Sequence, residues 1–210
     1  MVISRPNSGL RFIFDVGGVL IRHDDALLCE GIAALCDHPE RARKAVIEML
    51  QDPLVGTGRT GIDALHLGMV ADWGFRGGYS QFLDLWSSHF SELPGMMPVL
   101  EHLARHHRVV LFSNTNEAHW SYLMRHYAVL RCAKSAYLSY QLGLMKPDAA
   151  SFQYVLEREG CSAGQCFFVD DRVENVAAAR GVGMIGHAFT GVNQFANALS
   201  DYGFEVRGWG

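Results

Sequence analysis

Short apolar runs alternate along this chain with longer segments in which apolar residues recur every three or four positions. Arg11–Val16 is the first such run, and two glycines follow it directly. Runs of this length are typical of buried strands, and the wider spacing is typical of helices. Later strands are predicted at Val109–Phe112, Ala136–Leu138, Cys166–Val169 and Met184–Phe189. Strands that alternate with helices predict a parallel sheet covered on both faces.

Residues 22–95 differ from the rest of the chain, because they carry helical patterns and no clear strand. Phe82 and Trp86, for example, lie one helical turn apart on a shared face. We therefore predict an α/β fold, a doubly wound, Rossmann-like parallel sheet with a helical cap inserted after its first strand. Residues 1–21 and 96–210 are expected to form the core, and residues 22–95 the cap.

Composition narrows the class of protein. The 210 residues are 49% hydrophobic with a formal net charge of -4, which excludes general disorder. The 18 Lys and Arg residues form no basic run, so a nucleic-acid partner is not expected. No uncharged apolar stretch is long enough to predict a membrane span. Five cysteines without a C-x-x-C pair are typical of reduced thiols, so a cytoplasmic location is expected. The oligomeric state stays open.

Two motifs match known signatures in the wrong setting. Gly56–Gly61 fits G-x-G-x-x-G, but a helix and Pro53 precede it, whereas a dinucleotide site needs a strand there. Gly160–Gly164 fits G-x-S-x-G, but it runs from a helix to a strand, opposite to a nucleophile elbow. We interpret both as ordinary turns.

Polar residues follow each predicted strand at its carboxyl end, where open α/β sheets bind their ligands. The first strand is followed by Asp15, and the loop after the third contains Lys146. Asp170 and Asp171 follow the fourth strand. After the second strand comes a polar run at the start of a helix, Ser113–Asn116. One edge of the sheet is thus predicted to collect three carboxylates, a lysine and a hydroxyl group.

Three neighbouring carboxylates repel one another, and a bound divalent cation resolves this, with oxygen ligands favouring Mg²⁺. Its open coordination positions commonly take phosphate oxygens. Lys146, Ser113 and the backbone N–H groups near Asn116 are suited to hold further phosphate oxygens. A carboxylate that faces a clamped phosphorus acts as a nucleophile, which gives an aspartyl-phosphate that water hydrolyses. The sequence therefore predicts a Mg²⁺-dependent phosphohydrolase with a small-molecule phosphate ester as its partner.

The order of these motifs resembles the haloacid dehalogenase (HAD) superfamily of aspartate-nucleophile hydrolases over essentially the whole chain. The motifs are F-D-V-G-G-V-L at Phe14–Leu20, L-F-S-N-T-N at Leu111–Asn116, L-G-L-M-K-P at Leu142–Pro147 and F-F-V-D-D-x-x-x-N at Phe167–Asn175. Within the superfamily, Ser113–His119 and Ser139–Pro147 look similar to the α-D-glucose-1-phosphate phosphatase-like branch.

The resemblance implies a role for each motif residue. Asp15 would be nucleophile and metal ligand, and Gly17 would offer its backbone carbonyl to the metal. Asp171 would be the main metal ligand of the last motif, with Asp170 supporting it. Three residues would contact the substrate: Ser113, Asn114 and His119. Lys146 would contact it too and would neutralise charge between nucleophile and phosphate. Asn175 would steady the last motif through hydrogen bonds.

The first motif departs from the usual pattern of such phosphatases, D-x-D, in which the second Asp serves as general acid and base. Gly17 stands in that place. Losing such a group costs about 10²–10⁴ in rate, so a substrate with an easily expelled oxygen, such as a sugar 1-phosphate, is expected. Alternatively, His23, Asp24 or His119 replaces the missing acid.

Substrate choice is expected to fall to cap residues that line the mouth of the site. Arg59, Trp86 and His23 are the candidates.

Two rival functions remain open. A haloacid dehalogenase also uses a strand-end Asp nucleophile, but it needs no metal, whereas Asp170-Asp171 favours one. A binding or regulatory protein with weak activity is favoured only by Gly17.

Overall fold

A computed structural model describes residues 9–204 of the chain. Its strands are β1 (Arg11–Phe14), β2 (Ile21–His23), β3 (Phe90–Glu92), β4 (Arg108–Ser113), β5 (Ser135–Leu138), β6 (Cys166–Asp170) and β7 (Ile185–Ala188). Its α-helices are α1 (Asp25–Ala33), α2 (Pro39–Gln51), α3 (Pro53–Gly56), α4 (Ile62–Trp73), α5 (Tyr79–Ser87), α6 (Met96–His106), α7 (Glu117–His126), α8 (Ser139–Leu142), α9 (Ala149–Glu159), α10 (Val173–Gly181) and α11 (Val192–Asp201). No helix in this described part is long and apolar enough to cross a membrane.

Five parallel strands form the main sheet in the order β5-β4-β1-β6-β7, as the doubly wound prediction requires. Alternate residues of the strands point to opposite faces, and both faces are buried. Phe12 and Phe14 pack on one side with α6, α7 and α11, whereas Ile13 packs on the other with α9 and α10. Helices on both faces explain why the strands read as apolar runs without polar alternation.

Helices α1–α5 are inserted after the first strand and share a hydrophobic cluster of their own. Trp86 and Phe82 lie at its centre with no exposed surface, and their rings stack 5.6 Å apart. This separate core supports the expected cap, and we propose that residues 22–95 form it.

The prediction that residues 22–95 contain no strand is wrong. β2 and β3 pair as an antiparallel ribbon that joins the cap to the sheet. Each strand has three residues, which is too short for an alternating pattern to stand out. The expected boundaries at 21 and 96 therefore fall inside β2 and a few residues after β3.

A tight turn follows β1 and brings the first and last motifs together. Gly18 has a φ of +73°, and a side-chain Cβ there would lie 2.2 Å from a carboxylate oxygen of Asp171. Glycine is thus required both by the backbone conformation and by the close approach. The turn places Asp15 at the carboxyl edge of the sheet beside the end of β6.

The opposite, amino edge of the sheet is fixed by a buried carboxylate. Glu159, at the end of α9, accepts hydrogen bonds from Arg108 (2.5 Å) and from the Tyr137 hydroxyl (2.9 Å). Arg11 lies 3.7 Å from the same carboxylate. Burial alone would raise the pKa of Glu159, but the hydrogen bonds from Arg108 and Tyr137 hold it below its ordinary value.

Glu159→Gln is expected to lower the free energy of unfolding at pH 7 by about 1–3 kcal/mol, the range for hydrogen bonds to charged groups. Because the pKa of Glu159 is lowered by folding, its charge stabilises the protein above the unfolded-state pKa of about 4.3, and this stabilisation disappears as pH falls through the lowered value. Urea unfolding at several pH values measures the difference.

The matched control is Glu157→Gln, an exposed position on the same helix, which should change stability by less than about 0.5 kcal/mol. A Glu159→Gln deficit that stays constant from pH 7 down to the acid range would contradict the charge assignment.

Candidate active site

Three carboxylates converge where β1 and β6 end. Asp15, Asp170 and Asp171 each offer an oxygen within 4.8 Å of the others. Asp170 is completely buried and Asp15 nearly so, whereas Asp171 is exposed. The sequence prediction that these residues meet at one edge is matched by this geometry.

Lys146 provides the positive charge among them. Its Nζ lies 2.6 Å from an oxygen of Asp170, 3.1 Å from an oxygen of Asp15 and 2.9 Å from the carbonyl of Phe112. The ammonium group also lies over the rings of Phe112 and Phe168, at 5.2 and 5.5 Å from their centres. With 2% of its surface exposed, Lys146 is held in one place by all these partners.

Asp170 is committed to its protein neighbours. Asn175 donates from Nδ2 to both of its oxygens, at 2.9 and 3.0 Å, and the backbone N–H of Arg172 donates at 2.9 Å. With Lys146 added, both oxygens of Asp170 are occupied. Asp15 and Asp171 are therefore the carboxylates that face the open side of the site.

The site has more negative than positive charge. Burial raises the pKa of Asp15 to about 7, with the charge of Asp170 adding to the rise and Lys146 opposing it. Burial and the charge of Asp170 also raise the pKa of Asp171. Carboxyl groups in this state gain most from an added cation, and a set of oxygen donors fits a hard divalent ion.

The loop after β4 holds Lys146 in position through two hydrogen bonds. The side chain of Asn114 donates to the carbonyl of Lys146 at 2.7 Å and accepts from its backbone N–H at 2.9 Å. The side chain of Asn114 thus holds Lys146, and the phosphate contact expected of Asn114 stays a prediction that its backbone is left to make. Ser113 is buried at the end of β4 and lines the cavity.

His119, expected near the substrate, has both ring nitrogens engaged. Nε2 lies 2.9 Å from the carbonyl of Trp86, and Nδ1 lies 3.1 Å from the Nδ2 of Asn116. Burial lowers the pKa of His119 to about 3, which keeps the ring neutral. His119 lines the cavity, yet its hydrogen bonds connect α7 to α5 of the cap.

The site opens into a cavity of about 840 Å³ between the sheet edge and the cap. On its cap side, Asp25 of α1, His89 and Phe90 line it. Residues of α2 and α3 and the residue between these helices complete this side: Ile47, Leu50, Gln51, Asp52, Pro53, Val55 and Gly56. Of the three expected mouth residues, only His23 belongs to the lining. Trp86 is wrong because it is fully buried in the cap, and Arg59 is wrong because it is exposed outside the cavity.

β2 (Ile21–His23) links the sheet to the cap and is called the hinge strand here; His23 is its last residue and lies beside Gly17. A Cβ built on Gly17 would be 3.5 Å from Cδ2 and 3.9 Å from Nε2 of His23. The other ring nitrogen, Nδ1, lies 3.1 Å from a carboxylate oxygen of Asp25, and this hydrogen bond raises the pKa of His23. Asp24 instead caps α1 by accepting from the N–H of Leu27 at 3.0 Å, so it is occupied as a helix cap.

One polar residue at the site, Ser139, was not predicted from the sequence. The hydroxyl of buried Ser139 accepts from the N–H of Thr115 at 2.9 Å and donates to the carbonyl of Gly56, at 2.5 Å, in the cap. Ser139 directly follows β5, so the same strand-end rule that found Asp15 and Asp170 would have found it.

The two glycine motifs that match known signatures in the wrong setting are turns, as predicted. Gly56–Gly61 connects α3 to α4, and Gly58 has a φ of +72°. Ser162 caps a single 3₁₀ turn before β6, far from any strand's carboxyl end.

The family model that describes the sequences of haloacid dehalogenase-like hydrolases matches residues 11–183, which is most of the chain. Among curated proteins, a flavin mononucleotide hydrolase of Arabidopsis thaliana is 33% identical over 124 residues, 57% of this chain and 49% of that protein. A sesquiterpene phosphatase of Aspergillus oryzae is 48% identical over 44 residues, 21% of this chain and 22% of that protein. The matches thus span half or less of the length of these curated relatives.

A solved HAD-family enzyme from Bacteroides thetaiotaomicron has the same fold. It superposes with a TM-score of 0.81 at 22% identity, covering 91% of this chain and 99% of that one. The same enzyme has been solved with magnesium and inorganic phosphate, and that complex gives a TM-score of 0.75 over 88% of this chain and 96% of that one, at 22% identity.

Lys146→Met is expected to destabilise the protein by about 3–5 kcal/mol, because it leaves Asp15 and Asp170 buried without their counter-charge. Urea unfolding in metal-free buffer measures the loss. Lys134→Met, at an exposed position, is the matched control and should change stability by less than about 0.5 kcal/mol. Equal stability of the two variants would show that Lys146 is not the counter-charge.

Proposed function

The chain belongs to the haloacid dehalogenase-like hydrolase family, and on that premise we propose that it is a Mg²⁺-dependent phosphohydrolase with Asp15 as nucleophile. One observation supports this most directly: Asp15 lies 3.1 Å from a buried ammonium group and beside two further carboxylates at a cavity mouth. A carboxylate placed this way is suited to attack phosphorus rather than to stabilise the fold.

The chemistry follows from the positions of the side chains. Asp15 attacks the phosphorus, the bond to the leaving-group oxygen breaks, and water then hydrolyses the aspartyl-phosphate. Lys146 neutralises charge between Asp15 and the phosphoryl group, and Ser113 with the backbone N–H groups before α7 holds its oxygens. Asn114 and Asn175 act indirectly, because they orient Lys146 and Asp170.

Asp15, Asp171 and the backbone carbonyl of Gly17 would hold the Mg²⁺ ion, with Asp170 supporting from behind. Three carboxylates and one lysine leave two negative charges, which a divalent cation balances. When bound, the ion supplies charge neutralisation and phosphate orientation.

The cavity supports a substrate whose organic part is uncharged. Lys146 and Arg172, both in the core, are the Lys and Arg residues among the described cavity lining, so the cap side offers no lysine or arginine to a second anionic group. Gln51 and Thr115 offer hydrogen bonds to hydroxyl groups, and Leu50 and Val55 offer apolar contact. This lining and the absent carboxylate at Gly17 support a sugar 1-phosphate, whose anomeric oxygen leaves more easily than an alkoxide.

The wider setting follows from the composition. Five cysteines that form no disulfide support a reducing compartment such as the cytoplasm. The absence of a basic run supports a small-molecule phosphate ester over a nucleic acid as partner.

The dehalogenase alternative shares the strand-end nucleophile, and solved dehalogenases share the fold at TM-scores of 0.60. The second acidic residue of the last motif, Asp171, favours the phosphatase, because a metal-independent dehalogenase needs no second carboxylate to bind a metal ion. A binding protein without chemistry leaves the excess of carboxylates over cations around Lys146 unexplained.

The purified protein is expected to hydrolyse small phosphate monoesters only with Mg²⁺, with sugar 1-phosphates showing the highest kcat/KM of the panel. Asp15→Asn should lose at least about 10³-fold of the activity, because the nucleophile is gone. Phosphate release over a panel of sugar 1-phosphates, alkyl phosphates and bisphosphates measures this, with and without EDTA.

Halide release from 2-haloacids in EDTA would support the dehalogenase instead. Wild-type activity equal to that of Asp15→Asn on every ester would support the binding protein. Alkyl phosphates that turn over as fast as sugar 1-phosphates would contradict the substrate class alone.

Asp171→Asn is expected to weaken Mg²⁺ binding at least about tenfold, because one charged ligand is removed. Calorimetric titration with Mg²⁺ alone measures this without any reaction. The matched control is Asp52→Asn, which lines the cap side of the same cavity, and its affinity should equal that of the wild type. Equal affinities for both variants would place the ion elsewhere.

A further inference from the structure

The leaving-group oxygen needs a proton, and the cavity offers few side chains that are able to give one. Phosphoryl transfer to Asp15 breaks the bond between phosphorus and that oxygen, which takes the electron pair. Without a donor an alkoxide must leave, and general acid help is worth about 10²–10⁴ in rate. The question is therefore which titratable group facing the cavity is still available.

Most of these groups are already occupied. The ammonium group of Lys146 is bound to two carboxylates and a carbonyl. Both ring nitrogens of His119 are hydrogen-bonded. Asp52 and Asp148 accept from the first turns of α3 and α9 as helix caps.

His89 also lines the cavity, but it is 4% exposed and packed against the ring of Phe90 at 4.0 Å. Burial also lowers the pKa of His89 to about 4, so its ring is neutral near pH 7 and a poor proton donor.

His23 differs from all of them. Its side chain is 43% exposed within the cavity lining, and its Nδ1 is held by Asp25 at 3.1 Å. This bond orients the ring, so that Nε2 is the nitrogen 3.9 Å from where a Gly17 side chain would begin. The ring therefore lies within ordinary van der Waals contact of the Cβ position of Gly17, two residues beyond the nucleophile, and it lines the cavity.

We propose that His23 gives its Nε2 proton to the leaving-group oxygen during phosphoryl transfer to Asp15. The ester bond breaks as the Asp15–phosphorus bond forms, and the alcohol departs with the proton. His23 then takes a proton from the water that attacks the aspartyl-phosphate, which releases inorganic phosphate and restores both side chains. Asp25 is a positioning residue, because it acts through its hydrogen bond with Nδ1 of His23.

This inference rests on the proposed function and refines it. His23 reduces the preference for a good leaving group but does not abolish it, because an anomeric oxygen stays easier to expel than an alkoxide. In this chain the proton donor comes from His23 on β2, whereas in the usual D-x-D pattern it is the side chain at the position of Gly17.

Leaving-group dependence tests the proposal. In His23→Gln, which keeps a hydrogen-bonding side chain without proton transfer, kcat/KM for an alkyl phosphate should fall about 10²- to 10³-fold. For 4-nitrophenyl phosphate it should fall less than about threefold, because nitrophenolate leaves without a proton. The ratio kcat/KM is used because it reports phosphoryl transfer and not the later hydrolysis.

A rescue variant probes the position itself. Gly17 lacks a positive φ, and the heavy atoms near its missing Cβ belong to His23 alone, so His23→Ala with Gly17→Asp places a carboxyl group in the vacated space. This double variant should recover at least about tenfold of the alkyl phosphate activity lost in His23→Ala. His126→Ala, an exposed histidine on α7, is the matched control and should match the wild type.

The outcomes separate cleanly. An equal loss on alkyl and nitrophenyl esters in His23→Gln, without rescue by Gly17→Asp, would overturn the proposal and leave His23 a positioning residue of the hinge. Wild-type protein that hydrolyses no ester would overturn the proposed function itself, whatever the His23 variants do. Circular dichroism of each variant confirms that losses are not due to unfolding.

Discussion

The buried contact between Lys146 and Asp170 is the interaction on which the rest of the site depends. Two charges with almost no solvent exposure, 2.6 Å apart, are costly to desolvate and tolerable only when every remaining lone pair and proton is satisfied. The structure meets that condition through Phe112, Asn175 and the backbone of Arg172. Asn114 extends the network to the backbone of Lys146, so three separate loops are fixed by one charge pair.

The topology explains why these loops can meet. β1 lies at the centre of the sheet between β4 and β6, so the first and fourth motifs end side by side. Asp15 and Asp170 therefore need no long side chains to approach, whereas Lys146 comes from the loop after the edge strand β5 and spans β4. A lysine has the reach for that distance, and aromatic rings line its path.

The two edges of the sheet differ in whether their buried charges are balanced. At the amino edge, Glu159 faces two arginines and a tyrosine hydroxyl, so its charge is fully matched and serves stability. At the carboxyl edge, three carboxylates face one lysine, and burial, with the charge of Asp170 adding to it, raises the pKa of Asp15. A protein that needed only stability would not keep this imbalance, because like charges in a buried site cost free energy.

The sequence predicted the core fold and the meeting of the motif residues because each depends on strand order alone. Apolar runs located the five parallel strands, and the carboxyl-end rule located Asp15, Lys146 and Asp170. Side-chain partners were harder, because an amide such as Asn114 fits a phosphate or a backbone equally well until distances are known. The predictions for Trp86 and Arg59 were wrong because the direction of a cap helix face and of the turn between α3 and α4 depends on packing between helices.

His23 illustrates the same limit from the other side. In the sequence it is one of three equal candidates, because nothing in its neighbours reveals where the hinge strand turns. Pairing of β2 with β3 fixes that turn, and the ring of His23 then lies within ordinary contact distance of the Cβ position of Gly17. The ring is thus placed by the junction between cap and core, whereas Asp15 is placed by the core alone. Because the donor belongs to the hinge and the nucleophile to the sheet, the relative position of cap and core must be held for both to face one phosphorus. The hydrogen bonds from Ser139 to Gly56 and between His119 and Trp86 cross the same junction and help to hold it.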